Sequence, residues 1–184
     1  MLNTNMPLNL LFAISDFYPE YSKELVLNAI TFLHTNNKSV ETFTHHYVAS
    51  DCQEILRMIM ENSFHKTSFQ SVDKKEINLT AIKIKGSLEL PQVISFAIEK
   101  QKYDGIIAFG VIKQGKTSHD YVVTTECHRG LTKLALKHQI PITTAIINSG
   151  DDAVIKERTS ESGYNVGKQA VETCLQLIEI KNKL

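Results

Sequence analysis

The fold of this chain is decided by a short apolar stretch and the polar segment that follows it. Residues Ile106–Ile112 read IIAFGVI, and Gly115–His119 read GKTSH just before a helical pattern that begins near Tyr121. A run that is apolar on both faces predicts a strand inside a parallel sheet. A glycine-containing turn between such a strand and a helix presents backbone N–H groups that can hold an anion. Since histidine titrates near neutral pH, His119 is a candidate proton carrier beside that anion. The pattern indicates an enzyme that acts on a small phosphorylated molecule.

Strand-like and helix-like segments alternate along much of the chain. The apolar runs predict strands at Leu8–Ile14, Ala81–Ile84, Gly105–Ile112 and Ile140–Ile147. Helical spacing predicts helices at Pro19–Leu33 (ended by Asn36-Asn37), from Pro91 to Lys100, at Tyr121–His138 and from Tyr164 to Lys181. This order predicts a parallel sheet with helices on both faces. Ligands bind beyond the carboxyl ends of such strands, which are followed here by the loops Ser15–Tyr18, Lys85–Glu89 and Lys113–His119.

The segment 38–80 fits this alternation less well. Val40–Val48 has the composition of a strand, and Cys52–Glu61 reads as a short helix with Ile55, Met58 and Ile59 facing inward. Ser63–Asn78 is polar and is expected to form a surface loop. The pattern leaves the place of this segment in the fold open.

Composition bounds the class of protein. The 184 residues suit a single domain, and equal numbers of basic and acidic residues, 20 each, argue against nucleic-acid and membrane partners. The three cysteines are scattered without a CxxC pair, which favours buried free thiols in a reducing compartment over a metal site. Leu8–Ile14 has no basic segment before it, so we interpret it as a buried strand and not a signal peptide. No stretch approaches a membrane helix, and we expect a cytoplasmic protein.

Two charged residues are further candidates for a site, each with a simpler alternative. Arg158 could clamp a phosphate through two parallel hydrogen bonds, or form a surface ion pair with Glu157 or Glu161. Glu89 lies in an apolar stretch before Pro91, where a carboxylate is costly unless it is paired or bound to a hydroxylated ligand. Its alternative role is an interaction with the helix N-terminus.

Phe17 and the histidines also have simpler alternatives. Phe17 in the first loop could stack on a flat ring, although a core phenylalanine is the commoner outcome. The alternative for His119 is a solvated residue at a helix N-terminus. The pair His45-His46 and His65 lack metal-ligand spacing and are expected at the surface.

Taken together, these loops resemble the 6,7-dimethyl-8-ribityllumazine synthase family from Lys85 to the last helix. Lys85–Pro91 (KGSLELP) is similar to the family's PGAFEIP segment, and Gly115–His119 matches its GxTxH loop. Further matches in the same order are Lys102-Tyr103-Asp104, Ala108-Phe109-Gly110, Glu126, Gly130, Leu131, Pro141, Arg158, Asn165 and Gly167. Because several loops match in the correct order, the resemblance is far more specific than one short motif.

The resemblance implies a fold and a reaction. The fold is a flavodoxin-like three-layer α/β/α sandwich with a central parallel four-stranded sheet. The reaction condenses 5-amino-6-(D-ribitylamino)uracil with 3,4-dihydroxy-2-butanone 4-phosphate to give 6,7-dimethyl-8-ribityllumazine and phosphate, the penultimate step of riboflavin biosynthesis. It requires no metal or organic cofactor, because the amine of one substrate forms the imine itself.

The resemblance also implies roles for individual residues. His119 would be the general acid and base, and Phe17 would stack on the pyrimidine. The phosphate would be held by Arg158 together with Gly115, Lys116 and Thr117. The ribityl chain would be bound by Ser87 and Glu89, in the segment that begins at Gly86.

Members of the family form pentamers, sometimes stacked into decamers or closed into icosahedral shells, with active sites between neighbouring subunits. The first strand here has a short segment before it, and Thr159–Tyr164 lacks the lysine-glycine pattern associated with shells. We therefore expect a homo-oligomer that is a pentamer or decamer.

The chain departs from the family pattern at several positions. The family has an arginine at the positions of Asp16 and Gln114, and a proline at that of Lys85. It has an aromatic residue at the position of Asp120, a phenylalanine at that of Thr144 and a lysine at that of Ser162. Lys116 is a candidate to restore positive charge near the phosphate. The chain is also longer than usual within 38–80, which predicts an insertion in one domain spanning 1–184.

Two alternatives are open, and the departures at Asp16 and Thr144 motivate the first of them. The first is a catalytically weak lumazine- or flavin-binding protein, or a shell scaffold, on the same fold. The second is a different phosphate-binding enzyme on a flavodoxin-like sheet, which leaves the matches outside the phosphate loop unexplained.

Overall fold

The structure is a computed structural model that describes residues 7–35, 45–71 and 76–184. Its elements in chain order are β1 (Leu8–Ser15), α1 (Pro19–Thr35), α2 (His45–Glu61), β2 (Phe64–Gln70), β3 (Glu76–Ile84), α3 (Leu90–Lys100), β4 (Gly105–Lys113), α4 (His119–His138), β5 (Ile142–Ser149), α5 (Asp152–Thr159) and α6 (Val166–Lys183). Among these residues, no helix has the length and apolar character that a membrane crossing requires.

The strands form one sheet in the order β2-β3-β1-β4-β5. Strands β3, β1, β4 and β5 are parallel, with Leu10 opposite both Leu79 and Gly105. The predicted parallel four-stranded sheet is therefore confirmed. Strand β2 adds a fifth, antiparallel strand at the outer side of β3, with Thr67 opposite Leu79.

Helices cover both faces of the sheet and give three layers. In β1, Leu10 and Phe12 point to the face covered by α1, α2, α5 and α6, while Leu11 and Ala13 point to the face covered by α3 and α4. This alternation arises because successive side chains of a strand project to opposite faces. Since both faces are buried, β1 and β4 are apolar almost throughout. The α/β/α sandwich predicted from the sequence is confirmed.

The segment 45–71 differs from its prediction in two places. The helix predicted at Cys52–Glu61 is confirmed and begins at His45, so the strand predicted at Val40–Val48 is wrong from His45 onward. Residues 40–44 and Asn36-Asn37 lie outside the described residues. Cys52, Ile55, Leu56 and Ile59 of α2 are buried in the core on the α1 face.

The loop predicted at Ser63–Asn78 is wrong, because it contains β2 and the start of β3. The strand was not recognised because β2 alternates between exposed and half-buried residues and is mostly polar. Its backbone pairing with β3, and not an apolar pattern, makes it a strand. His65 is half-buried in β2 and so is not the surface residue expected.

Helix α5 was not predicted either. This helix begins at Asp152, and the carboxylate of Asp151 caps it by accepting a hydrogen bond from the Ala153 N–H at 2.8 Å. Strand β3 begins at Glu76, five residues before the predicted start at Ala81, whereas the other predicted ends differ by at most two residues, which is ordinary for helix and strand boundaries. For example, α6 begins at Val166, where the Asn165 side chain accepts a hydrogen bond from the Lys168 N–H at 3.1 Å.

Candidate active site

A cavity of about 420 Å³ lies where β1, β3 and β4 end at the carboxyl edge of the sheet. The three loops that leave these strands line it together. Seven of the predicted site residues contribute: Phe17, Gly86, Ser87, Glu89, Gly115, Thr117 and His119. The other lining residues are Tyr18, Leu88, Val111, Ile112, Lys113, Asp120 and Val123. The parallel topology thus brings residues a hundred positions apart to one site.

The first loop is fixed by hydrogen bonds at the end of β1. The Asp16 N–H donates to the Ile84 carbonyl at 2.7 Å, and the Ser15 hydroxyl donates to the Lys85 carbonyl at 3.0 Å. The Ser22 hydroxyl of α1 donates to the Ser15 carbonyl at 2.7 Å. Phe17 follows these anchors and is 62% exposed at the cavity, so it is not a core phenylalanine.

Asp16 faces away from this site toward β3. Its carboxylate Oδ2 lies 3.5 Å from Lys83 Nζ, and both side chains are largely buried. Lys83 also donates to the Met60 carbonyl at the end of α2. Asp16 does not line the cavity. Through Lys83 it instead connects the first loop to β3 and to the end of α2.

In the second loop, Gly86 makes room for the carboxylate of Glu89. A Cβ atom at position 86 would overlap Glu89 Oε2. Glu89 precedes α3, lines the cavity and makes no capping hydrogen bond to the helix. Burial, and secondarily the charge of Glu89, raise the pKa of the Cys127 thiol to about 12. Glu89 thus has no capping role at α3, and its carboxylate lies beside Gly86 at the cavity.

Gly110 of β4 allows the first two loops to approach each other. A Cβ atom there would lie 2.9 Å from Ser87 Oγ and 3.1 Å from Ser15 Cβ, closer than side chains normally pack. Ser87 is consequently buried beneath the cavity. The glycine of the AFG segment thus has a steric role under the site.

The third loop leaves its residues exposed. No atom lies within 4 Å of where a Cβ at Gly115 would stand, and no glycine among the described residues has positive φ. Gly115 therefore does not serve a left-handed turn, and the open space beside it leaves room for a ligand. The His119 N–H donates to Thr117 Oγ1 at 3.4 Å, and His119 begins α4 with its side chain exposed at the cavity.

Two residues predicted to hold phosphate do not line this cavity within one chain. Lys116 is exposed on the third loop. Arg158 lies on α5, where its guanidinium carbon is 5.0 Å from the centroid of the Tyr164 ring. Within the described part of the chain Arg158 makes no ion pair, so its expected alternative, a pair with Glu157 or Glu161, is wrong.

Thr144, another departure from the family pattern, also lies elsewhere. It lines a second cavity of about 480 Å³ between α4, β5 and α6. The position that the resemblance associates with ring contact is therefore separated from Phe17 in one chain.

Lys113 and Tyr18 are cavity residues that the sequence did not single out. Lys113 Nζ forms an ion pair with Asp152 Oδ1 at 2.6 Å. The hydrogen bond and charge of Asp152 raise the pKa of Lys113, and Lys113 in turn lowers the pKa of Asp152. The sequence signal that could have identified Lys113 is a lysine at the end of an apolar strand, at the edge of the sheet where ligands bind.

The described residues offer no metal centre. They contain no group of three or more His, Cys, Asp or Glu side chains that could hold a metal ion. All three cysteines are buried, as predicted, and burial is the main cause that raises the pKa of Cys174 to about 12.

Comparison with known proteins identifies the family. Residues 47–182 match the family model of 6,7-dimethyl-8-ribityllumazine synthase. The chain is 32% identical over 113 residues to the 6,7-dimethyl-8-ribityllumazine synthase of Neisseria meningitidis serogroup C / serotype 2a, covering 61% of this chain and 71% of that protein. It is 34% identical over 115 residues to the synthase of Polaromonas sp. strain JS666, covering 62% and 75%. It is 29% identical over 119 residues to that of Campylobacter jejuni, covering 65% and 77%. This chain belongs to the 6,7-dimethyl-8-ribityllumazine synthase family.

Proposed function

We propose that the chain carries out the family's reaction in the cavity at the carboxyl edge of its sheet. The reaction condenses 5-amino-6-(D-ribitylamino)uracil with 3,4-dihydroxy-2-butanone 4-phosphate to give 6,7-dimethyl-8-ribityllumazine, phosphate and water. The observation that carries the proposal is the convergence of Phe17, Glu89 and His119 from three separate loops on one cavity. An exposed ring, a carboxylate and a proton carrier are the groups that a ribityl-pyrimidine substrate and its condensation require.

The ribityl-pyrimidine would occupy the side of the cavity formed by the first two loops. The Phe17 ring is exposed and apolar, so it can stack on the flat pyrimidine. The carboxylate of Glu89 can accept hydrogen bonds from ribityl hydroxyls, and such charge-assisted bonds are stronger than neutral ones. Ser87 adds a hydroxyl at the base of the same loop.

The butanone phosphate would lie against the third loop. The open space beside Gly115 gives room for phosphate oxygens near the exposed backbone up to Thr117. The substrate amine attacks the ketone carbon, water leaves to give the imine, phosphate is eliminated, and ring closure releases a second water. His119 would accept and return the protons in these steps. We propose no metal or organic cofactor, because the substrate amine supplies the electrophilic imine.

The charges around the cavity favour a site shared between copies of the chain. Glu89 and Asp120 are acidic, and Lys113, the one basic lysine or arginine among the described lining residues, is already paired with Asp152. A phosphate therefore needs a further cation, which Lys116 supplies in part at the edge of the same loop. Arg158 of a neighbouring copy would supply the remaining positive charge. It is exposed and has no ion pair in the described residues.

Helix α4 presents a surface suited to such a neighbour. It begins at His119 and buries only Cys127 and Leu131, while Tyr121 is 68% exposed and Leu136 is 75% exposed. Large apolar side chains along one helix beside the site favour burial against a second copy. We propose a homo-oligomer, a pentamer or decamer, in the cytoplasm, where scattered thiols stay reduced.

A co-expression experiment tests both the reaction and the sharing of the site. Product is measured by the fluorescence of the lumazine after both substrates are mixed with wild-type chain, His119→Ala, Arg158→Ala, or the two variants co-expressed. If each site takes His119 from one copy and Arg158 from another, random mixing restores about a quarter of the sites. Each variant expressed alone serves as the control.

The outcomes are distinct. Absence of product from the wild-type chain would overturn the proposed reaction. An active wild type without recovery in the mixed sample would overturn the shared site alone. Light scattering tests the assembly, which should have five or ten times the 20.7 kDa chain mass, and a particle of shell size would contradict this expectation.

A further inference from the structure

Lys113 is a charged residue of the cavity wall to which the proposed reaction gives no role. It is the last residue of β4, its side chain is 25% exposed, and it lies at the start of the third loop. Its ammonium is held by Asp152, the first residue of α5, at 2.6 Å. The lysine is therefore fixed by the first turn of α5.

The same ammonium contacts two aromatic rings. Its Nζ lies 4.9 Å from the ring centroid of Tyr18 and 5.0 Å from that of Tyr21. A cation within about 6 Å of a ring centroid is attracted by the electrons of the ring. Both tyrosines belong to the first loop and the first turn of α1, so Lys113 joins the end of β4 to the loop that carries Phe17.

Tyr18 in turn contacts Phe17. The two ring centroids are 5.0 Å apart at an interplanar angle of 61°, an edge-to-face arrangement. Because Phe17 is largely exposed, the packed core does not hold its ring in place, and the contact with the Tyr18 ring is one that does. A continuous series of contacts thus runs from Asp152 through Lys113 and Tyr18 to Phe17.

We propose that Lys113 is a positioning residue that fixes the orientation of the Phe17 ring through Tyr18 and is itself fixed by Asp152. The inference rests on the proposed function, in which Phe17 stacks on the pyrimidine. A ring that is already oriented binds its partner more tightly, since less side-chain freedom is lost on binding. The effect is therefore expected in the binding of the pyrimidine substrate and not in the chemical step.

Steady-state kinetics with each substrate varied in turn test this role. Lys113→Met should raise KM for the ribitylaminouracil about 2- to 30-fold, the range that corresponds to losing a cation–ring contact. KM for the butanone phosphate and kcat should stay within about twofold of wild type. Lys113→Arg keeps the charge over the rings and should restore wild-type values. Lys66→Met is the matched control, because Lys66 lies 5.7 Å from the Phe64 ring but away from the cavity.

A double-mutant cycle separates positioning from direct contact with substrate. In a Tyr18→Leu background, Lys113→Met should have no further effect on KM for the pyrimidine, because the contact that transmits it is already absent. Additive effects, or a rise in KM for the phosphate substrate instead, would overturn the proposal. If Lys113→Met does not fold, Asp152→Asn at the exposed start of α5 should raise the same KM, and an unchanged KM would contradict the inference. An inactive wild-type chain would instead point to failure of the proposed function.

Discussion

Strand β3 is bordered by two regions that differ in how much of their side chains is packed into the core. At its carboxyl end the loop Lys85–Glu89 contributes residues 86–89 to the cavity, and of these only Ser87 is buried. Along its outer side, β2 and α2 add a strand and a helix whose apolar residues enter the core. The first region places chemical groups beside a ligand, whereas the second covers the edge and face of the sheet. Changes in the loop should therefore affect catalysis without unfolding, and changes in α2 should do the reverse.

The largest expected effect is on the cavity side. His119→Ala should lower kcat about 10²- to 10⁴-fold, the usual cost of losing a general acid or base. The side chain is exposed and packs against nothing in the core, so the midpoint of urea unfolding should not change. His138→Gln, at the other end of α4, is the control and should keep full activity. Wild-type turnover in His119→Ala would remove this residue from the mechanism.

The opposite pattern is expected for α2. Ile59 is 1% exposed, and Ile59→Ala should lower the free energy of unfolding by about 2–5 kcal/mol, because it leaves a cavity in the core. Below the unfolding transition, kcat should equal that of the wild-type chain. Gln53→Ala on the exposed side of the same helix should be nearly neutral. A loss of kcat in folded Ile59→Ala would show that α2 takes part in the site.

The two regions also differ in how far the sequence predicted them. The parallel strands β1 and β4 were predictable because they are buried on both faces and carry unbroken apolar runs. Strand β2 was not, since it is half-buried and its strand character comes from pairing with β3. Helix α5 was not predicted for a similar reason: it buries only Ile155 and Thr159, so it shows no apolar face with helical spacing.

The site was partly predictable for a topological reason. Loops after parallel strands meet at one edge, so Phe17, Glu89 and His119 could be expected to lie together once the strands were known. The contacts from Asp152 through Lys113 to Tyr18 could not be predicted, because they join segments that are distant in sequence and that show no local pattern. The place of Arg158 in the site stays a prediction, since one chain does not bring it to the cavity.

A smaller effect is expected from the glycine of the second loop. Gly86→Ala should displace the carboxylate of Glu89, which is the movable end of a flexible side chain, and leave the fold intact. KM for the ribitylaminouracil should rise about 10- to 100-fold, as expected for loss of a hydrogen bond to a charged group. In a Glu89→Ala background the same change should have no further effect. A further loss there would mean that Gly86 itself contacts the substrate.

The smallest expected effect concerns the contact that joins the two regions. Asp16 pairs with Lys83 at 3.5 Å, and Lys83 also donates to the Met60 carbonyl, so this pair links the first loop to the end of α2. Asp16→Asn keeps the shape of the side chain and removes its charge, and should lower the free energy of unfolding by about 1 kcal/mol. For a chain of this size that corresponds to a fall in Tm of about 2–4 °C. Glu54→Gln is the matched control: its pair with Arg57 is more than half exposed, and exposed pairs contribute little. Equal effects of the two substitutions would show that burial of the Asp16–Lys83 pair adds nothing to stability.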